Sequence, residues 1–128
     1  MRFLLDTQIV LWTAAEPDKL PAAARNFLSD PDNDIAFSVV NLWETAIKRA
    51  LNRPGFQINP RRLRERLIAT GFIELAVTGE HALAVEHLPP IHRDPFDRIL
   101  VAQAMAEGLV LLTSDRLLDG YPGDIRCV

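Results

Sequence analysis

Four acidic residues of this chain stand beside segments that are typical of a buried sheet and its helices. Asp6 follows the first apolar run of the chain, and Asp115 follows the last long one. Glu44 and Asp97 lie close to the beginnings of two predicted helices. Because the carboxyl ends of parallel strands meet the amino ends of the following helices at one sheet edge, we expect the four carboxylates to line one cleft.

Carboxylates at close range repel one another, which raises their pKa values, and a divalent cation relieves that repulsion. Oxygen ligands with no histidine or cysteine partner favour Mg²⁺ or Mn²⁺ over zinc. The chemistry best suited to such a site is metal-assisted hydrolysis of a phosphodiester, in which the metal lowers the pKa of a bound water. The acids therefore predict a metal-dependent hydrolase.

Each acid also has a purely structural explanation. An acid in a first helical turn, such as Asp97, stabilises the helix dipole by about 0.3–1 kcal/mol. Glu44 comes three residues after the predicted N-cap Asn41, which is close to a capping box. Asp115 suits an ordinary turn and Asp6 suits a helix cap. Together, however, these explanations do not account for acids that end two core strands and begin two core helices.

The most strongly patterned stretch lies in the C-terminal third of the chain. Asp94 is expected to cap a helix whose first residue is Pro95, and Gly108 is expected to end it. The helix is apolar almost all round, which predicts that it is mostly buried. Leu109–Leu112 is a continuous apolar run, as in a strand covered on both faces.

Strands alternate with helices along the rest of the chain. Strands are predicted over residues 2–5, 35–38, 72–77, 109–112 and 125–128. Two of the other helices are predicted over residues 7–15 and 21–28. Three more are predicted from Asn41 to a break at Arg53-Pro54-Gly55, from Asn59-Pro60 to Gly71, and from Thr78 to Pro89-Pro90. This alternation implies right-handed crossovers and a parallel sheet between helical layers. We therefore predict a single α/β domain over residues 1–128, built as a three-layer α/β/α sandwich.

Composition narrows the classes of protein to which the chain can belong. Of the 128 residues, 48% are hydrophobic, but no apolar run approaches the ~20 residues that a membrane span needs. The apolar run before Asp6 is too short for a secretory signal. A single cysteine, Cys127, excludes an internal disulfide and a cysteine-rich metal site. We expect a cytoplasmic protein.

The charge is distributed unevenly. The chain has a net charge of −3, yet residues 48–66 contain seven basic residues and one acid. The arginines of the predicted helix in this segment are the candidates for binding a nucleic-acid backbone: Arg61, Arg62, Arg64 and Arg66. Charge separation of this kind suggests a second functional surface, although a solvated helix face would have the same pattern.

Other reactions suit the sequence less well. Asp6 lacks the second acid, two residues later, that a phosphatase of the haloacid type requires. The run His92-Arg93-Asp94 is similar to a kinase catalytic loop, but no glycine-rich phosphate loop accompanies it. His81 and His87 are expected at the surface or its boundary. His92 could approach the cleft, but we do not count it among the site residues.

Four motifs resemble those of PIN-domain proteins, and specifically the VapC-type toxins of bacterial toxin–antitoxin pairs. They are FLLDT at residues 3–7, S-x-x-N-x-W-E at 38–44, HRDPFDRILVAQA at 92–104 and LLTSD at 111–115. They occur in the family's order and span nearly the whole chain. The one departure is Asn41, where similar sequences often have serine.

The resemblance implies an Mg²⁺- or Mn²⁺-dependent endoribonuclease that forms a homodimer and binds a cognate antitoxin at its active site. The family's acidic quartet falls on the four acids already named, and its polar helper falls on Thr113 or Ser114. Thr7, Asp94 and Arg98 are the other expected supporting residues. A non-catalytic PIN-like module that binds RNA or protein is the alternative, and the intact quartet favours the nuclease.

Overall fold

The computed structural model describes residues 1–54 and 57–128, so that Gly55 of the predicted break and Phe56 lie outside the described residues. The strands are β1 (Arg2–Leu5), β2 (Asp34–Ser38), β3 (Ile73–Leu75), β4 (Val110–Thr113) and β5 (Ile125–Cys127). The α-helices are α1 (Thr7–Ala15), α2 (Ala22–Ser29), α3 (Val39–Ala50), α4 (Pro60–Ala69), α5 (Gly79–Ala84) and α6 (Pro95–Glu107). Short 3₁₀ helices cover Pro17–Lys19, Val85–His87 and Arg116–Gly120.

The strands form one five-stranded parallel sheet in the order β3-β2-β1-β4-β5. Strands β1 and β4 lie side by side at its centre, with Leu5 opposite Leu112. From this pair the chain extends in opposite directions, through β2 and β3 on one side and β5 on the other. Open α/β sheets bind their ligands at such a switch point, outside the carboxyl ends of the strands.

Two hydrophobic cores cover the two faces of the sheet, as the predicted three-layer α/β/α sandwich requires. Alternate residues of β1 enter opposite cores, because successive side chains of a strand point to opposite faces. Phe3 and Leu5 pack with residues of α1, α2 and α4, whereas Leu4 packs with α6. The predicted fold class is confirmed.

The amino end of α3 differs from the prediction, because Ser38 and not Asn41 is its N-cap. The Ser38 hydroxyl accepts a hydrogen bond from the amide of Val40 (3.0 Å), and the Asn41 side chain accepts one from the amide of Ser38 (2.7 Å). The two residues satisfy each other's backbone groups as a reciprocal capping box. Glu44 therefore lies in the second turn of α3, and its predicted place in the first turn was wrong.

The segment that precedes α6 also differs from the prediction. Helix α5 ends at Ala84, and a 3₁₀ turn takes the chain on to His87. The prediction that His81 lies at the surface or boundary was wrong, since its side chain is only 1% exposed. Its Nδ1 accepts a hydrogen bond from the amide of Thr78 (3.0 Å), and its Nε2 lies 2.7 Å from Glu107 Oε1.

The described residues include no helix with the length and apolarity that a membrane crossing requires.

Candidate active site

One cleft at the carboxyl edge of the sheet brings the four predicted acids together. Its volume is about 420 Å³, and it opens at the switch point between β1 and β4. Its lining consists of Asp6, Thr7, Gln8, Glu44, Lys48, Asp94, Asp97, Ser114 and Asp115. Residues separated by more than a hundred positions in sequence therefore face the same space.

Asp6 connects the two central strands and is also a helix cap. Its amide donates to the carbonyl of Leu112 (3.0 Å), and its Oδ1 accepts from the amide of Ile9 in α1 (2.9 Å). Its Oδ2 accepts a hydrogen bond from the buried Thr113 hydroxyl. Burial raises the pKa of Asp6 above its usual value, although these hydrogen bonds partly offset the rise.

Glu44 reaches the cleft from α3 and is only 6% exposed. Its Oε2 pairs with Lys48 Nζ, one helical turn later, at 2.8 Å. Within residues 1–54 and 57–128, its buried Oε1 has no hydrogen-bond partner. A buried carboxylate oxygen without a partner is costly, and the cost disappears if a cation binds there.

Asp97 lies in the first turn of α6, two residues after the N-terminal Pro95. Its pKa is raised to about 7, mainly by burial and then by repulsion from Asp94, Asp6 and Glu44. Three other carboxylates thus act on one group. This is the electrostatic crowding that a divalent cation relieves.

Asp115 follows β4 and caps the 3₁₀ helix Arg116–Gly120. Its Oδ1 accepts from the amide of Leu117, and its own amide donates to Thr113 Oγ1, both at 3.0 Å. Its Oδ2 lies 3.2 Å from His92 Nε2. Thus its two oxygens have different roles, since one is held by the backbone and the other faces the cleft.

His92 is the site residue that was left out of the predicted set. Its Nε2 is 3.2 Å from Asp115 Oδ2 and 3.5 Å from Asp97 Oδ2, and the three groups are close enough together to surround one metal ion. The expectation that the acids have no histidine partner was therefore wrong. The signal in the sequence was the position of His92, two residues before the N-cap Asp94, whose amide donates to His92 Nδ1 (3.0 Å).

The predicted supporting residues of the cleft contact it in different ways. The side chain of Thr113, not that of Ser114, hydrogen-bonds to the acids, while Ser114 lines the cleft and acts on Asp6 through its backbone. The hydroxyl of Thr7 accepts a hydrogen bond from Asn41 Nδ2 (3.0 Å), which fixes the floor of the cleft to α3. Asp94 lines the cleft and also caps α6, because its Oδ1 accepts from the amide of Phe96 (2.9 Å).

Arg98, expected as a supporting residue, is not part of the lining of the cleft. Its guanidinium donates to the carbonyls of Pro89 (2.9 Å) and Val85 (3.2 Å) and to the hydroxyl of Tyr121 (3.1 Å). These carbonyls belong to the segment between α5 and α6, so Arg98 holds that segment against α6. Its contribution to the site is indirect.

The four arginines of α4 are all exposed, but they do not form one basic surface. Arg62 and Arg66 line a groove with Ile58, whereas Arg61 and Arg64 line a different groove beside Trp43. The helical repeat explains the division, since residues three or four apart share a face and adjacent residues do not.

Two of these arginines have polar partners. Arg64 donates two hydrogen bonds to Glu74, at 2.6 and 2.9 Å, and they hold the Glu74 pKa below its usual value. Arg66 donates to the carbonyl of Ala14 in α1. Part of the basic helix is therefore engaged within the fold.

A continuous path runs from the acidic cleft to the face of α4 that carries Arg62 and Arg66. Gln8 and Lys48 line both the cleft and a neighbouring groove that also contains Arg53. Ile58 lines that groove and the groove of Arg62 and Arg66 as well. Lysine and arginine side chains thus line this path away from the acids.

Comparisons with known proteins agree with this architecture. Ribonuclease VapC22 of Mycobacterium tuberculosis is 29% identical over 119 residues, which cover 92% of this chain and 90% of that protein. The crystal structure of VapBC2 from Rickettsia felis, bound to a DNA fragment from its promoter, has a TM-score of 0.72 at 15% identity and covers 100% of this chain and 99% of that chain. DNA-bound VapBC from Salmonella typhimurium has a TM-score of 0.71 at 20% identity, with 99% and 98% covered. The family model of the PIN domain matches residues 3–123, and the chain therefore belongs to the PIN domain family.

Proposed function

We propose that this protein is a metal-dependent endoribonuclease that hydrolyses RNA phosphodiester bonds in the four-carboxylate cleft and acts as the toxin of a toxin–antitoxin pair. The observation that carries the proposal is the convergence of Asp6, Glu44, Asp97 and Asp115 at the switch point of the sheet. The likeness to Ribonuclease VapC22 over most of both chains supports the same activity. We place its action in the cytoplasm, where its substrate lies.

The residues of the cleft fit a divalent cation. The unpartnered Oε1 of Glu44 and the raised pKa values of Asp6 and Asp97 all mark negative charge that is not compensated within the described residues. The ligands on offer are mostly carboxylate oxygens, which favour Mg²⁺ or Mn²⁺. When bound, such an ion lowers the pKa of a water molecule and stabilises negative charge on the phosphate.

The protein's own groups prepare the cleft for this chemistry. Thr113 joins Asp6 to the backbone of Asp115, so that acids from two strands keep a fixed separation. Lys48 neutralises one oxygen of Glu44 and leaves the other for the cation. Burial, and then repulsion from three other carboxylates, raises the pKa of Asp97.

For the RNA backbone we propose the path that begins at Lys48 and continues past Arg53 to Arg62 and Arg66. Lysine and arginine bind phosphates, and each phosphate contact releases counterions from the nucleic acid. Arg61 and Arg64 lie on the other face of α4, beside the exposed Trp43. We also propose a cognate antitoxin as a partner of this protein, since VapBC complexes share this fold.

The decisive experiment is a cleavage assay on single-stranded RNA with Mn²⁺, with Mg²⁺ and with EDTA. We expect cleavage with either metal and none with EDTA. Asp97→Asn should lose activity, whereas the matched control Asp32→Asn, an exposed acid in a turn, should retain it. Tight RNA binding without cleavage in any metal would instead favour the non-catalytic binding module.

A further inference from the structure

His92 approaches two of the acids from a segment outside the elements that carry them. It lies in the segment before α6, and its ring is 20% exposed. Its Nε2 is 3.2 Å from Asp115, which follows β4, and 3.5 Å from Asp97, which lies in α6. The ring therefore occupies the gap between two carboxylates that would otherwise only repel each other.

The hydrogen bonds of the ring decide which nitrogen carries the proton. The amide of Asp94 donates to His92 Nδ1 at 3.0 Å, and a backbone amide can only donate. Nδ1 must therefore present its lone pair, so the ring proton is on Nε2. A protonated Nε2 donates to a carboxylate and has no lone pair to offer a metal.

The backbone of His92 is fixed from its buried side. Its amide donates to the hydroxyl of Tyr121 (2.8 Å), and that hydroxyl donates to the carbonyl of His92 (3.2 Å). Arg98 donates to the same hydroxyl (3.1 Å), and Tyr121 is only 4% exposed. The ring therefore has a defined position before any ligand arrives.

We infer that His92 is a positioning residue of this site, whose Nε2–H donates to Asp115 Oδ2 and whose Nε2 lies 3.5 Å from Asp97 Oδ2, so that it holds the two carboxylates toward one point. The inference deepens the proposed function and rests on it, because it concerns how the ligands of the divalent cation are arranged. Groups that hydrogen-bond to metal ligands in this way typically change metal affinity by about 10- to 100-fold when they are removed.

Two substitutions distinguish the role of Nε2 from the role of Nδ1. The amide nitrogen of glutamine in His92→Gln reaches about as far as Nε2 and can still donate to the carboxylates. The carboxamide oxygen of asparagine in His92→Asn matches Nδ1 and can still accept from the Asp94 amide, but nothing reaches the acids. Melting curves in EDTA establish that both variants fold, and titration with Mn²⁺ gives the affinities.

We expect His92→Gln to bind Mn²⁺ within about threefold of the parent and His92→Asn to bind it about tenfold more weakly or worse. At saturating Mn²⁺, RNA cleavage by His92→Asn should return toward the parent rate, because the group positions ligands and does not touch the substrate. Parental affinity in His92→Asn, or equal weakening in both variants, would overturn the inference.

Pulsed EPR of the Mn²⁺-loaded parent adds an independent readout. We expect no ¹⁴N coupling from a directly bound imidazole, and such a coupling would make His92 a ligand and overturn the positioning role. A parent that binds no Mn²⁺ at all would instead overturn the proposed function, and the inference with it. The two failures are thus distinguishable.

Discussion

The ionised carboxylate of Asp97 destabilises the folded protein, and the direction of this effect on stability follows from the pKa of Asp97. Burial and repulsion raise that pKa to about 7, compared with the ordinary value of 3.8. Between these values the folded chain binds more protons at Asp97 than the unfolded chain does. Its contribution to stability is therefore present below about pH 4 and is lost as the pH rises toward 7.

We predict that Asp97→Asn in EDTA is as stable as the parent at pH 7.5, or more stable by on the order of 1–3 kcal/mol. The difference should shrink as the pH falls below the raised pKa. With Mn²⁺ the order should reverse, because the variant binds the ion less tightly. RNA cleavage should fall by roughly a hundredfold or more.

Melting curves with EDTA and with Mn²⁺, across pH 4–8, test this prediction, with Asp32→Asn as the matched control. If Asp97 only stabilises the helix dipole, its replacement costs up to about 1 kcal/mol in EDTA and leaves cleavage intact. That result would remove Asp97 from the site.

Thr113 offers a second test, because its hydroxyl serves two acids at once. Thr113→Val conserves the volume of this fully buried side chain but deprives Asp6 and the Asp115 amide of a partner. We predict a loss of about 1–3 kcal/mol in the free energy of unfolding. The pKa of Asp6 should rise further, and Mn²⁺ affinity should fall about tenfold or more.

The conservative variant Thr113→Ser keeps the hydroxyl and should stay close to the parent in both measurements. Chemical denaturation in EDTA and Mn²⁺ titration give the two quantities. Unchanged Mn²⁺ affinity in Thr113→Val would confine Thr113 to a role in packing.

The residues of the site differ in how far the sequence could predict them. Asp6 and Asp115 were predictable because each follows a short apolar run, and strand ends meet at one sheet edge. His92 was only partly predictable: its position two residues before the N-cap Asp94 brings it near the cleft, but its orientation also depends on Tyr121, a partner 29 residues away. The local pattern does not reveal that distant contact.

At the scale of the elements, helix α3 shows that the position of Glu44 in the cleft was predicted correctly although the predicted start of the helix was wrong. Glu44 was placed in the cleft as a first-turn residue of a helix capped by Asn41. The helix begins three residues earlier, yet Glu44 still faces the cleft from the second turn. Both Ser38 and Asn41 suit an N-cap, and only their reciprocal hydrogen bonds decide between them.

Helix α4 yields a prediction because its arginines face two grooves. Arg62→Ala with Arg66→Ala should weaken RNA binding at all sequences. The slope of log affinity against log salt should flatten by about 1.4, since two phosphate contacts on a single strand are lost. Arg61→Ala with Arg64→Ala should leave that slope unchanged.

Binding is best measured in EDTA over a range of salt concentrations, so that no RNA is cleaved. Because Arg66 also contacts the Ala14 carbonyl, melting curves must accompany the titrations. Equal effects of the two pairs would mean that the RNA does not follow the proposed path. An unchanged slope in both pairs would assign α4 to solvent or to the antitoxin.

At the scale of the whole molecule, the order of the strands explains why dispersed acids form one site. The chain leaves β1 and β4 in opposite directions, so helices do not cover the carboxyl ends of this pair. The alternation of strands and helices predicted the parallel sheet. It did not give the strand order, which depends on pairings between β1 and β4 across more than a hundred residues.

The molecule also exposes apolar surface that bears on the predicted homodimer. Trp12 of α1 and Phe27 of α2 pack against a core and are partly buried. Trp43 is 57% exposed. Its aromatic neighbour within the described residues is Phe96, in a T-shaped pair with 5.0 Å between the ring centroids. Two-fold dimers are the commonest homo-oligomers, and pairing of this kind would cover such a residue.

We therefore predict a dimer at micromolar concentration that depends on Trp43. Trp43→Glu should shift the protein to a monomer, because it places a charge in an apolar contact and removes one of the largest side chains available to bury. Leu83→Glu is the matched control, since Leu83 is 72% exposed on α5. Sedimentation of the three proteins decides the matter: a monomeric parent would exclude the dimer, and a dimeric Trp43→Glu would place its interface elsewhere on the molecule.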